Sequence, residues 1–297
     1  MYLYLSLRFQ FERPLILNSL YTVLTTTTME SNVIESALAD VLAGTLSEPD
    51  DELYLVNPTT DTVEELVEIL DADTPTVRLL APEATLKDVM GDFLVASAAA
   101  DHVEAGNLEL RTDESEANTL VVTESRVVSL VTTGEYTAGL SAGDEEFVSS
   151  AAARVAEVWD GAEPFDLRTP ALSRVRHSLK ENLGEPTAED FDSVLDSLET
   201  ARGNGDGLDE VTISILVAAK NEDLLYDISK WGEDVGIASK ATFSRTKSRL
   251  EEMGLIDTEK VPIDVGRPRL RLKLGDERLD GASNGELTNV AQSMLAA

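Results

Sequence analysis

No cysteine occurs in this chain of 297 residues, and histidine occurs only twice. The first absence excludes disulfides and thiolate metal sites. No apolar run reaches 18 residues, so no membrane-spanning helix is expected. No glycine-rich loop ends in Lys-Ser or Lys-Thr, which removes the usual nucleotide-phosphate cradle. Positive charge is scarce: 24 Lys and Arg face 56 Asp and Glu, a formal net charge of −32.

What is present is enough apolar material, 42% of residues, to bury more than one core. An excess of acid admits two explanations, a surface for cationic partners or a cytoplasmic protein adapted to concentrated internal salt. The acids are spread through every apparent element, which favours salt adaptation. Residues 1–28 differ in style, with five aromatics and the single acid Glu12. Arg8, Gln10, Glu12, Arg13 and Pro14 interrupt the apolar run that a signal peptide needs. The segment reads as a disordered start-site extension, with Met29 as an alternative initiator.

From Met29 the pattern alternates between helical and extended periods. Val33, Ile34, Ala37, Leu38, Val41 and Leu42 mark one helix face; "ELYLVN" (52–57) and "TVRLLA" (76–81) read as strands. Val63 to Leu70 mark a second helix, and residues 84–104 a third. Three further strands, "NLELR", "NTLVVT" and "RVVSLVTT", precede a helix over 144–162. The expected fold is α/β: a regulatory domain over 29–162 with a mostly parallel sheet and an antiparallel hairpin at one side. Residues 163–207 read as a linker with two connector helices. The second of these is opened by a capping box at Thr187 to Asp190, and the stretch ends in "GNGDG" (203–207). That glycine-rich stretch lacks the spacing and closing Glu of a calcium loop, so no metal is expected.

Residues 208–275 carry the informative motif. Two helices, 209–221 and 225–236, precede a third, "SKATFSRTKSRLEEM", with Gly236 at a helix end and Ser239 at an N-cap. A turn this short makes a helix-turn-helix. At about 100° per residue, Phe243, Thr246, Leu250 and Met253 share one side, and Ala241, Ser244, Arg245, Ser248 and Arg249 the other. Small residues permit close approach to a groove floor, and Arg offers paired donors to guanine edges or phosphates. Ser239, Lys240 and Thr242 occupy the first turn, where backbone N–H groups favour phosphate; Lys247 sits beside the core and snorkels. Residues 258–263 and 269–274 then form a hairpin around a turn holding Arg267. Leu270, Leu272 and Leu274 pack on one face, and Arg269, Arg271 and Lys273 make the other cationic. Residues 237–275 hold nine bases and five acids, against 15 bases and 51 acids in the remainder. The sign reverses on the two elements a winged helix presents to double-stranded DNA. The competing explanation is a winged helix used only as a protein-interaction scaffold. Residues 276–297 are expected to be a flexible tail.

"SKATFSRTKSRLEEMGLI" with "GRPRLRLKL" resembles the winged-helix segments of archaeal and bacterial transcription regulators. From Met29, "MESNVIESALADVLAG", "LVVTESRVVSLVTTGEYTAGL" and that winged helix resemble haloarchaeal TbsP-type transcription regulators, whose N-terminal region is related in style to TrmB-like sugar-responsive sensors. The resemblance implies a regulator of central carbon metabolism that senses a metabolite or a partner. TrmB-like proteins carry the winged helix first, so ligand residues do not transfer. TrmB-like sensors also share a layout with phospholipase D-like hydrolases, which need His-x-Lys. Here His102 precedes Val103-Glu104, and His177 precedes Ser178-Leu179-Lys180, so no enzyme and no cofactor are expected. One recognition helix reads too short a site for specificity, which makes a homodimer the expected form.

Overall fold

A computed structural model describes residues 33–35, 38–46, 52–114, 118–133, 136–198, 200–202, 208–263, 268–279 and 281–295. The expectations for residues 1–28, for 203–207 and for Arg267 fall outside these described residues.

The N-terminal part is an eight-stranded sheet in the order β1-β7-β6-β5-β2-β3-β4-β8. Its strands are β1 (Val33–Glu35), β2 (Glu52–Val56), β3 (Thr76–Ala81), β4 (Leu108–Thr112), β5 (Leu120–Val122), β6 (Val127–Thr133), β7 (Tyr136–Ala142) and β8 (Glu163–Pro164). Helices α1 (Leu38–Leu46), α2 (Thr60–Ile69), α3 (Glu83–Val89) and α4 (Phe93–Ala105) pack on one face, and α5 (Glu145–Gly161) on the other. Alternation along β2 divides the faces: Leu53 and Leu55 join the first core, Tyr54 and Val56 the second, against Trp159 of α5.

The α/β class is as expected, but the sheet is not mostly parallel. Only β2–β3 and β3–β4 pair in parallel, where the chain crosses over through helices. The strands that follow are joined by short turns such as Thr123 to Arg126, and connections this short permit only antiparallel neighbours. Three local assignments also change. Val33 and Ile34 belong to a strand, paired with Gly139 and Ala138, and the helix begins at Leu38. The helix expected over 84–104 breaks at Met90 to Asp92, because the Asp92 carboxylate accepts from Leu94 N and starts α4 afresh. Residues 163–164, read as linker, pair antiparallel with β4.

The C-terminal part comprises α6 (Leu172–Leu183), α7 (Glu185–Leu195), α8 (Glu210–Lys220), α9 (Leu225–Val235), α10 (Lys240–Glu252), strands β9 (Ile256–Val261) and β10 (Arg269–Leu274), and α11 (Asn284–Leu295). All contribute to a single core, so the connector helices are part of it: Phe191 of α7 meets Trp231 of α9 edge-on at 6.3 Å, and Trp231 Nε1 donates to Ser178 of α6. The Thr187 capping box is not formed. The helix starts at Glu185 with Pro186 in its first turn, and the Thr187 hydroxyl donates to Asp223 instead.

The expected flexible tail is also corrected. Leu287, Ala291 and Leu295 recur at helical spacing and are buried, so burial of one face holds α11 in place. Asp190 of α7 anchors its start by accepting from Lys220, Asn221 and Asn284. Burial raises the Asp190 carboxyl pKa, but these hydrogen bonds outweigh it and hold the group below its ordinary value. A depressed folded pKa stabilises above the unfolded value and is lost as pH falls through the folded one. Protection factors of the α11 amides, corrected for intrinsic exchange, are therefore expected to be high at neutral pH and to fall selectively below about pH 4. Uniform protection of α11 down to pH 2 would remove Asp190 from this role.

Candidate nucleic-acid interface

Helices α8, α9 and α10 form the expected helix-turn-helix. Asp209 caps α8 by accepting from Thr212 N at 2.7 Å. Gly236 ends α9 at φ +96°, a conformation that side chains disfavour, and Ser239 Oγ accepts from Thr242 N to open α10. The crossing is close because α9 carries Gly232 at the contact. A Cβ there would lie 2.3 Å from two ring atoms of the fully buried Phe243. Gly232→Ala is expected to cost about 1–3 kcal/mol by overpacking, measured as a lower thermal midpoint. An unchanged midpoint would show that the ring yields.

After α10, Gly254 turns the chain at φ +76° and Ile256 enters β9 directly, two residues earlier than the spacing suggests, because Ile256 is buried. Strands β9 and β10 pair from Ile256↔Leu274 to Val261↔Arg269. The Leu272 amide also donates to Asp223 O, which ties the hairpin to the loop before α9.

On α10 the burial follows the expected stripe: Phe243 and Leu250 are fully buried, and Ala241, Ser244, Arg245 and Ser248 are exposed. Two residues depart from it. Arg249 is half-buried, with its Nε shielded from solvent and without a hydrogen bond. Lys247 does not snorkel to water. Its side chain is 13% exposed and its Nζ meets Glu251 at 2.6 Å, while Thr258 donates to the other Glu251 oxygen. Burial raises the Glu251 carboxyl pKa, and these two hydrogen bonds more than offset it.

The wing's cationic face is also less bare than alternation suggests. Arg269 contacts Asp227 at 3.3 Å and stacks 4.1 Å from the Tyr226 ring centre; Arg271 lies 4.0 Å from Glu222, and Lys273 2.7 Å from Glu259. Lys240 pairs with Glu233, whose carboxyl pKa is lowered by that hydrogen bond. Arg245 has no carboxylate within ion-pair distance among the described residues; its guanidinium reaches only the Thr242 hydroxyl, at 3.3 Å. Between the first turn of α10 and β10 lies a groove of about 460 Å³, lined by Tyr226, Ser229, Lys240, Ser244 and Arg269. Sequence reasoning missed Tyr226, Gly232 and the acid partners; an aromatic two residues after the α8–α9 turn was the one local signal.

A second cleft joins the two parts of the chain. One lobe, about 660 Å³, lies where β4 ends at Thr112 and α3 begins at Glu83. The other, sharing Met90, Arg168 and Thr169, reaches Gly236 and Ile237 at the helix-turn-helix turn. Burial raises the carboxyl pKa of Glu210 on its wall. Among the described residues no three His, Asp or Glu side chains converge as metal ligands do, and no helix is long and apolar enough to cross a membrane.

No curated protein matches the chain. Among solved structures it is similar to TrmBL2, an archaeal chromatin protein described as showing a novel mode of DNA binding. The identity is 19% and the TM-score 0.35, over 50% of this chain and 60% of that one, so the chain spans about three fifths of that protein's length. Residues 30–170 match the family described as "Transcriptional regulator TbsP-like, N-terminal", and residues 171–292 match "Transcriptional regulator TbsP-like, C-terminal HTH domain". The two matches adjoin and together span nearly the whole chain, which belongs to the TbsP-like transcriptional regulators.

Proposed function

We propose that this regulator binds double-stranded DNA as a homodimer, laying α10 in the major groove and the β9–β10 wing along the phosphate backbone. One observation carries the reading. Most described Lys and Arg side chains lie within reach of a carboxylate, whereas Arg245 stands unpaired on a face of Ala241, Ser244 and Ser248. Small side chains let the helix approach base edges, and an unpaired guanidinium reaches them without breaking an internal ion pair. Ser239, Lys240 and Thr242 in the first turn meet phosphate, as do Arg269 and Arg271 on the wing, and Arg267, between the two strands in sequence, is assigned the same role from its charge. Arg249, half-buried, supports the face from its edge, and Lys247 holds the α10–β9 junction, away from DNA.

The acidic composition supports a salt-adapted cytoplasm, where the screening length is about 3 Å in molar salt. The cations then act at contact distance, without long-range steering. The two-part organisation supports a regulatory N-terminal unit ending near residue 170. The cleft between β4 and the helix-turn-helix turn supports a small-molecule metabolite, from central carbon metabolism, that shifts the protein between two arrangements of unequal DNA affinity. No catalytic role is assigned to any residue. Electrophoretic shift with chromosomal fragments in molar potassium salt tests the reading. Retarded complexes are expected with intact protein, and failure to bind any fragment would remove it.

A further inference from the structure

Seven large hydrophobic side chains are exposed among the described residues, and four of them lie between positions 131 and 147: Val131 at 45%, Tyr136 at 59%, Leu140 at 45% and Phe147 at 51%. The β6–β7 register explains the cluster. Val131 faces Ala138, Leu140 faces Ser129 and Tyr136 faces Thr133 across the ladder, so all six project from one face of the sheet. Val127, four residues before Val131 on β6, shares that face and is buried under Val148 of α5. Helix α5 therefore covers the face as far as Val127 and leaves the next three rungs open. The opposite face is closed: a Cβ on Gly139 would lie 3.0 Å from Val41 of α1 and 3.1 Å from Val128.

The patch also lacks charge. Residues 127–142 include a single charged side chain, Glu135, in a chain where 27% of residues are charged. A surface meant only for water would carry acids here as it does elsewhere.

We propose that this open face of β6 and β7 is the homodimer interface, each copy laying Val131, Tyr136 and Leu140 against those of its partner, with Phe147 at the rim. The proposal rests on the dimeric reading above and gives it a location. The charge selects the occupant. A cationic partner or a nucleic acid gains nothing from an uncharged face. Two copies with 56 acids each would press unpaired carboxylates together and strip their water over most of their surfaces, and can meet closely only where carboxylates are absent. A two-fold pairing needs no second complementary surface, and sheet faces stack about 10 Å apart with their side chains interleaved.

Light scattering on the full chain in molar potassium chloride is expected to give a dimer, and Leu140→Glu a monomer with an unchanged circular dichroism spectrum. Absence of native cysteine allows a second measurement that does not depend on how Leu140→Glu folds. Ala138→Cys should be cross-linked between copies by a short bis-maleimide, and Val103→Cys, exposed on α4, should not. A wild type that stays monomeric, or a Leu140→Glu dimer that still melts like wild type, overturns the proposal. So does a monomer whose Ala138→Cys thiol resists alkylation, because the chain's own residues 1–28 would then cover the face. A dimer that ignores DNA upholds the interface and removes the DNA reading; a DNA-binding monomer does the reverse.

Discussion

Arg245→Ala is expected to lose at least tenfold in affinity for chromosomal target fragments while melting at the wild-type temperature. One bidentate Arg contact to a base edge is worth about 1–3 kcal/mol, and each copy of a dimer loses its own. The side chain is exposed and its single partner is the Thr242 hydroxyl, so folding loses almost nothing. Lys247→Ala should show the opposite pattern. Its Nζ joins α10 to β9 through Glu251 and Thr258, so stability falls while DNA affinity of the folded protein holds. Fluorescence anisotropy and thermal melting of the two variants decide the matter. If Arg245→Ala binds like wild type, α10 does not read DNA through that face.

Asp92→Ala is expected to cost about 2–5 kcal/mol and to uncouple the two parts of the molecule. Asp92 is 3% exposed and stands at the α3–α4 junction, where the chain after α7 passes in an isolated antiparallel bridge with Arg202. Its carboxylate accepts from Leu94 N, which caps α4, and from Ala201 N, and it contacts Arg202 Nε at 3.4 Å. Arg202 also reaches Glu64 and Asp88, so one guanidinium gathers three acids. Losing a helix cap costs about 1 kcal/mol, and each buried donor left unsatisfied about 1–3 kcal/mol more. Phe93, next in sequence, hydrogen-bonds Ala201 O and packs in the C-terminal core. Urea unfolding is therefore expected to divide into two transitions in the variant where wild type shows one. A single transition displaced by less than about 1 kcal/mol, below the cost of the cap alone, would show that Asp92 is not the coupling.

Both residues bear on what was legible beforehand. The helix-turn-helix could be read because its determinants are local: Gly236 and Ser239 sit three residues apart, and Phe243 and Leu250 repeat at the helical period. Arg245 follows from that geometry alone. The coupling by Asp92 does not, since Ala201 and Arg202 lie more than a hundred residues onward. Strand β7 was missed for a related reason. "YTAGLSA" has no alternating pattern, because Gly139 is there to let Val41 of α1 approach, a demand made by another element. Direction in the sheet was misjudged because Leu120–Val122 inserts beside β2 instead of following β4. The wing's cations were legible; their acid partners Asp227, Glu222 and Glu259 come from three separate segments and had no common signature.

Those internal ion pairs alter what DNA binding does to the surrounding salt. A basic regulator releases condensed cations from the duplex, and its affinity collapses as salt rises. On the proposed reading, a phosphate that draws Arg269 or Arg271 away leaves Asp227 or Glu222 facing a polyanion, and Lys240 leaves Glu233 so. Each stranded carboxylate takes a cation from solution. Complex formation becomes an ion exchange in which release by the duplex and uptake by the protein oppose each other. Concentrated salt that strips an ordinary repressor from its operator then supplies the ions this complex consumes.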